Sequence, residues 1–302
     1  MSFQQQNIPL CPVCKNESIS LTIPCIDHSL TKEKFDIIQC KQCSHRYTFP
    51  IPAIDKIAPY YNFTEYISHT DTNDGWMNKL YHKVRQRTLS QKTKWIQSLY
   101  TGYKGNILEI GAGTGAFANA MQQKGWNVTA LEPDENTRKR ANETYGIQLL
   151  PIESIHNLRD QTFDVITLWH VLEHVHDLNG YFESFKKLLK PNGRLIIAVP
   201  NYTCFDARFY KSFWAAYDVP RHLYHFSPDS MRHLCLNYHF SIIQIKPMWY
   251  DSFYVSLLSE KYIKSGFLGT IRAGLIGSIS NLLAFRNYKK ASSVIYEIKN
   301  DK

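Results

Sequence analysis

The stretch Asn106 to Gly115, NILEIGAGTG, constrains this chain more than any other part of it. Five residues of buried-strand character run straight into three glycines within five positions, and Ala116 to Lys124 continues with helical apolar spacing. Glycines at a strand end let the backbone pass close to a ligand, and the helix that follows offers it unpaired N–H groups. Downstream, strands and helices alternate. NVTALE (127–132), IQLL (147–150), FDVITLW (163–169), RLIIAVP (194–200), FSIIQIK (240–246) and SSVIYEIK (292–299) read as strands. Helices are predicted at 135–144, at 181–189 before the Pro191-Asn192-Gly193 turn, and after Ser227-Pro228. This order implies βαβ units and a mostly parallel, doubly wound sheet of seven strands. Ligands bind such sheets beyond the carboxyl ends of the strands, where the glycine loop and Glu132 both fall.

From these residues alone, two cofactors stay open. Gly111 to Ala116 also satisfies the dinucleotide fingerprint G-x-G-x-x-G/A, with Glu132 about 20 residues on, so an NAD-dependent dehydrogenase is a rival.

The later segments separate the two. LEIGAGTGAFA, ALEPDE, FDVITLWHVLEHVHD and LLKPNGRLIIAVPN resemble, in order and spacing, the successive motifs of class I S-adenosylmethionine-dependent methyltransferases, over roughly residues 105–248. The resemblance implies a Rossmann-like seven-stranded α/β fold whose last strand is antiparallel. It implies S-adenosyl-L-methionine as cofactor, with contacts from Glu109, Gly111, Ala112, Gly113, Gly115, Glu132 and Pro133 and from the turn Leu168, Trp169, His170. In the family, the acid at Glu132 holds the ribose and the acid at Glu109 helps position the amino-acid portion. Dehydrogenases do not normally carry this later set, which leaves that reading a remote alternative.

His170-Val-Leu-Glu173-His174 matches the zinc-peptidase pattern H-x-x-E-H, but no third ligand helix is evident. In the methyltransferase reading the same residues follow directly after the fourth strand, whose end faces both cofactor and substrate. Methyl transfer needs in-line orientation and, for an oxygen or nitrogen acceptor, a base; histidine suits that near neutral pH. His174, His170 and His222 are the catalytic candidates. Arg221, His222 and His225 in DVPRHLYHF, after the fifth strand, are candidate substrate residues, with Arg221 suited to clamp a carboxylate or phosphate. The competing reading is a packed loop whose polar groups satisfy backbone carbonyls. Tyr66 and His69 are weaker candidates for capping the cofactor.

Of seven cysteines, four form Cys11-Pro-Val-Cys14 and Cys40-Lys-Gln-Cys43. Two such turns place four thiolates on one ion, so a structural Zn2+ in a ribbon is expected. The chain starts without a signal-peptide pattern and shows no apolar run of about 20 residues, which places it in the cytoplasm without a transmembrane segment.

The expected organisation is a zinc ribbon over 1–52, a helical connector or lid over 53–104, and a methyltransferase core over 105–302. A helical insertion occupies about 249–291, in which Leu268, Ile271, Leu275, Ile279 and Leu282 follow 3–4 spacing. That one-sided pattern fits packing on the sheet, a dimer face or peripheral contact with a membrane; packing is the default expectation. The formal charge is +9, and Lys79 to Lys104 carries seven Lys or Arg and no acid. The acceptor expected from these features is a small molecule or a sugar or glycan precursor, methylated on oxygen or carbon. The alternative is RNA or protein docked through the ribbon and the basic helix.

Overall fold

The computed structural model describes residues 10–61 and 76–301, with side chains in the second stretch from residue 83. Tyr66 and His69 lie outside the described residues.

The amino-terminal segment is a three-stranded antiparallel meander, β1 (Ile19–Ile26), β2 (Lys34–Cys40) and β3 (Arg46–Phe49). Its neighbour on the other side of β3 is the two-residue strand β8 (Tyr224–His225), contributed by the core. Cys11, Val13, Cys40, Cys43 and Tyr47 share one buried cluster with core residues such as Leu172, Leu223 and Phe226. The cysteine-rich segment is therefore packed into the main body. The proline-rich stretch after it makes two short 3-10 turns (Ile54–Lys56 and Ala58–Tyr61) that run along this junction.

Helix α1 (Trp76–Leu99) leads into the main sheet: β4 (Asn106–Ile110), β5 (Asn127–Leu131), β6 (Phe163–Trp169), β7 (Leu189–Pro200), β9 (Phe240–Pro247) and β10 (Ser293–Asn300). The spatial order is β5-β4-β6-β7-β10-β9. β4 pairs in parallel with β5 and β6, β6 does so with β7, and β10 runs antiparallel between β7 and β9. The antiparallel last strand is thus as expected, but the sheet has six strands where seven were predicted. IQLL contributes one parallel bridge, Leu131 to Leu150, because Pro151 follows at once and cannot donate to a ladder. Helices α2 (Ala116–Gln123), α3 (Glu135–Tyr145), α4 (Leu178–Leu188), α5 (Phe205–Tyr210) and α6 (Pro228–Asn237) complete the core. The predicted start of α6 is real: Ser227 and Ser230 form a reciprocal capping box with Pro228 in the first turn.

The insertion is a pair of helices, α7 (Asp251–Ile263) and α8 (Gly266–Arg286). Here the default expectation fails. The predicted stripe Leu268, Ile271, Leu275, Ile279 and Leu282 faces away from the protein, and α8 packs through Gly269, Ala273, Ile276, Gly277, Ser280 and Ala284. Small residues allow the close approach: a Cβ on Gly277 would lie 2.7 Å from the Phe253 ring. Polar bonds complete the seat, Ser280 Oγ donating to Asp206 and Arg272 pairing with Glu260 at 2.6 Å. Helix α8 also has the length and composition to cross a bilayer, where no such run was expected from the sequence.

Candidate active site

β4 delivers the glycine loop to the carboxyl edge of the sheet. Gly111 and Gly113 have φ of +68° and +52°. A Cβ on Gly111 would sit 2.4 Å from Val171 Cγ2, whereas one on Gly113 would meet nothing within 4 Å, which leaves room there for a ligand. Gly115, also at positive φ, caps α2. Glu132 directly follows β5 and points back at the loop, accepting from Gly113 N at 2.8 Å and Asp134 N at 3.1 Å. Glu109 is 3 % exposed, and its Oε2 has no hydrogen-bond partner among the described residues. Burial pushes its carboxyl up to about 8, opposed by the Lys92 ammonium. An orphaned carboxylate oxygen beside an open glycine loop fits an ammonium-bearing ligand.

Residues 170–176 form a turn, not a helix, so His170 and His174 are not stacked on one helical face as the peptidase pattern requires. His170, at φ +58°, lies between Glu173 Oε1 (3.3 Å) and Asp251 Oδ2 (3.2 Å). Burial opposes its charge, but the two carboxylates outweigh it and raise its pKa to about 9. Trp169 stacks edge-on to Phe117 and carries Lys92 Nζ over its ring at 4.2 Å. Leu168, expected to line the cofactor, has its side chain fully buried in the sheet core, because alternate residues of β6 face opposite ways.

His174 and His222 come together from separate loops, ring centroids 4.6 Å apart at 81°. His174 Nδ1 is 3.0 Å from the Arg221 carbonyl, which can only accept and so favours the tautomer with the proton on Nδ1 and the lone pair on Nε2. Burial and the neighbouring His222 hold the His174 pKa down, to about 4. His222 Nδ1 is likewise 2.8 Å from the Ala216 carbonyl. Glu173, 1 % exposed with Oε2 unpaired among the described residues, completes a set of three donors within 4.8 Å of one another, a spacing open to a divalent cation.

The other two substrate candidates are placed elsewhere. Arg221, 3 % exposed, spends its donors on Asp218, Asp27 and the Tyr60 carbonyl. It is a strut between the cysteine-rich segment and the core, with no donor directed at a ligand. His225 lies on β8, its Nε2 3.1 Å from Thr48 Oγ1 and its ring edge-on to Tyr217. Its contacts are with Thr48 of the amino-terminal sheet and with Tyr217. Conversely, three residues near the site went unremarked in the sequence. Tyr61 OH is 3.1 Å from His174 Nδ1, Arg85 donates to Thr114 of the loop at 2.7 Å, and Lys92 reaches over Trp169. Arg85 and Lys92 sit on one side of α1 in a run with no acid, a pattern that also describes a solvated face. A cleft of about 440 Å³ adjoins the site, lined by Lys92, Trp95, Lys246, Trp249, Asp251 and Tyr288.

The four cysteines converge as expected for a metal centre. All four Sγ atoms lie within 4.8 Å of one another, with Cys11–Cys43 at 3.5 Å and Cys14–Cys40 at 3.4 Å. Tetrahedral zinc with bonds of about 2.3 Å needs edges of roughly 3.8 Å. The two turns are built alike. Cys11 O and Cys40 O accept from the residues four on, Lys15 and Ser44, which both adopt left-handed φ, 60° and 59°. Zinc bound there would tie both knuckles and close the segment without entering any reaction.

A family model described as "Methyltransferase domain" matches residues 74–245. The ubiquinone biosynthesis O-methyltransferase of Actinobacillus pleuropneumoniae is 37% identical over 123 residues, 36% of this chain and 52% of that protein. The Bordetella avium protein of the same name is 29% identical over 119 residues, 36% of this chain and 49% of that protein. This chain thus spans about half the length of the curated relatives it matches. Among solved structures, the magnesium protoporphyrin IX methyltransferase of Synechocystis, with bound S-adenosylhomocysteine, superposes with a TM-score of 0.52 at 14% identity. The match covers 81% of this chain and 98% of that one, and it shows the shared fold. With the family model covering more than half of its residues, and with the loop, acids and antiparallel last strand in place, this chain belongs to the methyltransferase-domain family.

Proposed function

We propose that this chain methylates an oxygen of a small hydroxylated acceptor, with His174 as the base. The observation that carries this reading is the 3.0 Å contact between His174 Nδ1 and the Arg221 carbonyl, an acceptor that favours a proton on that nitrogen. With the proton there, Nε2 is a lone pair held just past the end of β6. S-adenosylmethionine supplies, when bound, a methyl group already activated by its sulfonium. The chain's own task is then orientation and proton removal. Glu132 and the Gly113 N–H would hold the ribose end, and Glu109 Oε2 would accept from the amino group. His174 Nε2 would take the proton of the acceptor hydroxyl, while the bound cofactor would supply the methyl group, its sulfur–carbon bond breaking as the oxygen–carbon bond forms. Tyr61 and His222 keep that ring in place. The names of the curated relatives support an O-directed, small-molecule reaction. The cleft beside Asp251 offers room for an acceptor with an aromatic or apolar body, given Trp95, Trp249 and Tyr288 in its walls.

RNA or protein as acceptor is less well served. Of the basic run, Arg85 and Lys92 are drawn to the loop and to Trp169, which leaves Lys83, Arg87 and Lys94 on α1 and Lys104 beyond it outward among the residues with described side chains. Calorimetric titration with S-adenosylhomocysteine, with NAD as control, tests the cofactor. Saturable binding of the first alone is the expected result, and binding of NAD instead would overturn it. Affinity for RNA that falls steeply with salt would turn the acceptor assignment to the alternative.

A further inference from the structure

We infer that α8 is an interfacial anchor, a helix that lies on an anionic lipid surface with its outer stripe in the headgroup and upper acyl region. The stripe is long and unbroken. Phe267, Leu268, Ile271, Leu275, Ile279, Leu282 and Phe285 follow one another at helical spacing over the whole element and are between 41 % and 80 % exposed. A soluble protein rarely leaves so much contiguous apolar surface to water. The two most exposed rings, Phe267 and Phe285, stand at opposite ends of the helix, so the whole length is available to one flat partner.

Charge selects the partner. From Lys261 to Tyr296 the chain has six Lys or Arg and no Asp or Glu. Arg272 is paired with Glu260, while Lys264 precedes the helix and Arg286 and Lys289 follow its stripe, all three exposed. An apolar face bracketed by cations matches an anionic bilayer, which solvates the stripe and attracts both ends. A second copy of this chain fits less well. Antiparallel pairing of two α8 stripes sets Lys264 of one against Arg286 and Lys289 of the other, and parallel pairing sets like against like, so either register brings cations together. A bilayer-spanning pose fits worse again. It would strip Arg272 from Glu260 and Ser280 from Asp206, leaving charged and polar groups unpaired in hydrocarbon. Seated on its small-residue face, α8 keeps those bonds and still presents the stripe. Tyr288, in the wall of the cleft, is two residues beyond the helix, so docking would set that wall near the headgroups.

Vesicle flotation tests this directly, with phosphatidylcholine alone and phosphatidylcholine mixed with phosphatidylglycerol. The full chain should float with the mixed vesicles, far less with the neutral ones, and be released by raised salt and by alkaline carbonate. Phe267→Ser with Phe285→Ser should abolish flotation. Arg286→Gln with Lys289→Gln should lower partitioning onto the anionic vesicles roughly thirtyfold, from two cations near the surface. All four side chains are exposed, so thermal melts by circular dichroism should match wild type in both variants. Three outcomes would overturn the inference. The wild-type chain could stay in solution with both vesicles, or resist carbonate as a spanning helix does. Sedimentation velocity could instead show a dimer that the phenylalanine variant dissolves, and a second copy would then be what covers the stripe.

Discussion

Replacing Arg221 by methionine separates two roles that the sequence allowed for it. The guanidinium lies 2.8 Å from Asp27 and 2.7 Å from Asp218, with a further bond to the Tyr60 carbonyl at 3.1 Å. Asp27 is wholly buried at the tip of the β1–β2 hairpin, where it also accepts from the backbone of Ser29, Leu30 and Thr31. Removing one member of a buried pair typically costs about 3–5 kcal/mol, because the other charge is left behind. The backbone donors around Asp27 offset part of that, so we expect about 3 kcal/mol, or a melting midpoint lower by about 6 °C at roughly 2 °C per kcal/mol. Protonation gives an independent estimate. Burial alone would raise the Asp27 pKa, but Arg221 and the backbone N–H groups outweigh it and hold it at about 2, from an ordinary 3.8. At about 1.4 kcal/mol per unit, that is on the order of 2 kcal/mol of stability, shared between Arg221 and the backbone donors. A depressed carboxylate stabilises the fold above its unfolded pKa and loses that contribution as pH falls from about 4 toward 2. The gap between wild type and Arg221→Met should therefore be full at pH 7 and narrow below about pH 4. Asp27→Asn combined with Arg221→Met should cost less than the sum of the single changes. Thermal melts between pH 3 and 7 measure all of this. An unchanged midpoint together with a raised acceptor KM would refute the strut and restore Arg221 as a substrate clamp.

Three further outcomes follow from the site. Glu132→Ala should weaken S-adenosylhomocysteine binding by about 1–3 kcal/mol in calorimetry, since the ribose acceptor would be gone; an unchanged Kd would remove Glu132 from the site. His174→Gln should lower kcat on the order of 10²–10⁴-fold with cofactor affinity intact, and a kcat within a fewfold of wild type would mean that another group takes the proton. Stripping metal with a strong chelator should release zinc and lower the melting midpoint, because Cys11, Cys40 and Cys43 belong to the same buried cluster as the core; Cys43→Ser should do the same without chelator. A purified chain that carries no zinc, or one that melts alike with and without it, would count against a zinc-stapled ribbon.

The sequence carried local, periodic information reliably. A strand feeding GAGTG, an acid closing the next strand, a serine–proline helix start and two C-x-x-C turns each follow from the chemistry of a few neighbouring residues, and all of them recur in the structure. The one strand that failed, IQLL, was cut short by a neighbouring proline that the sequence displayed but that periodicity alone does not weigh. What tertiary structure decided was direction and company. Spacing showed that α8 has an apolar side and could not say which side meets the protein. The small side does, because glycine, alanine and serine let the α7–α8 pair close up while Asp206 and Glu260 supply the polar bonds. Similarly, DVPRHLYHF offered an arginine and two histidines as equals. Contacts from residues almost 200 positions away make Arg221 a strut, β-pairing with the cysteine-rich sheet takes His225, and only His222 is left facing His174. A side chain's role here depends on which distant groups claim its hydrogen bonds first, and that is settled only when the chain has closed on itself.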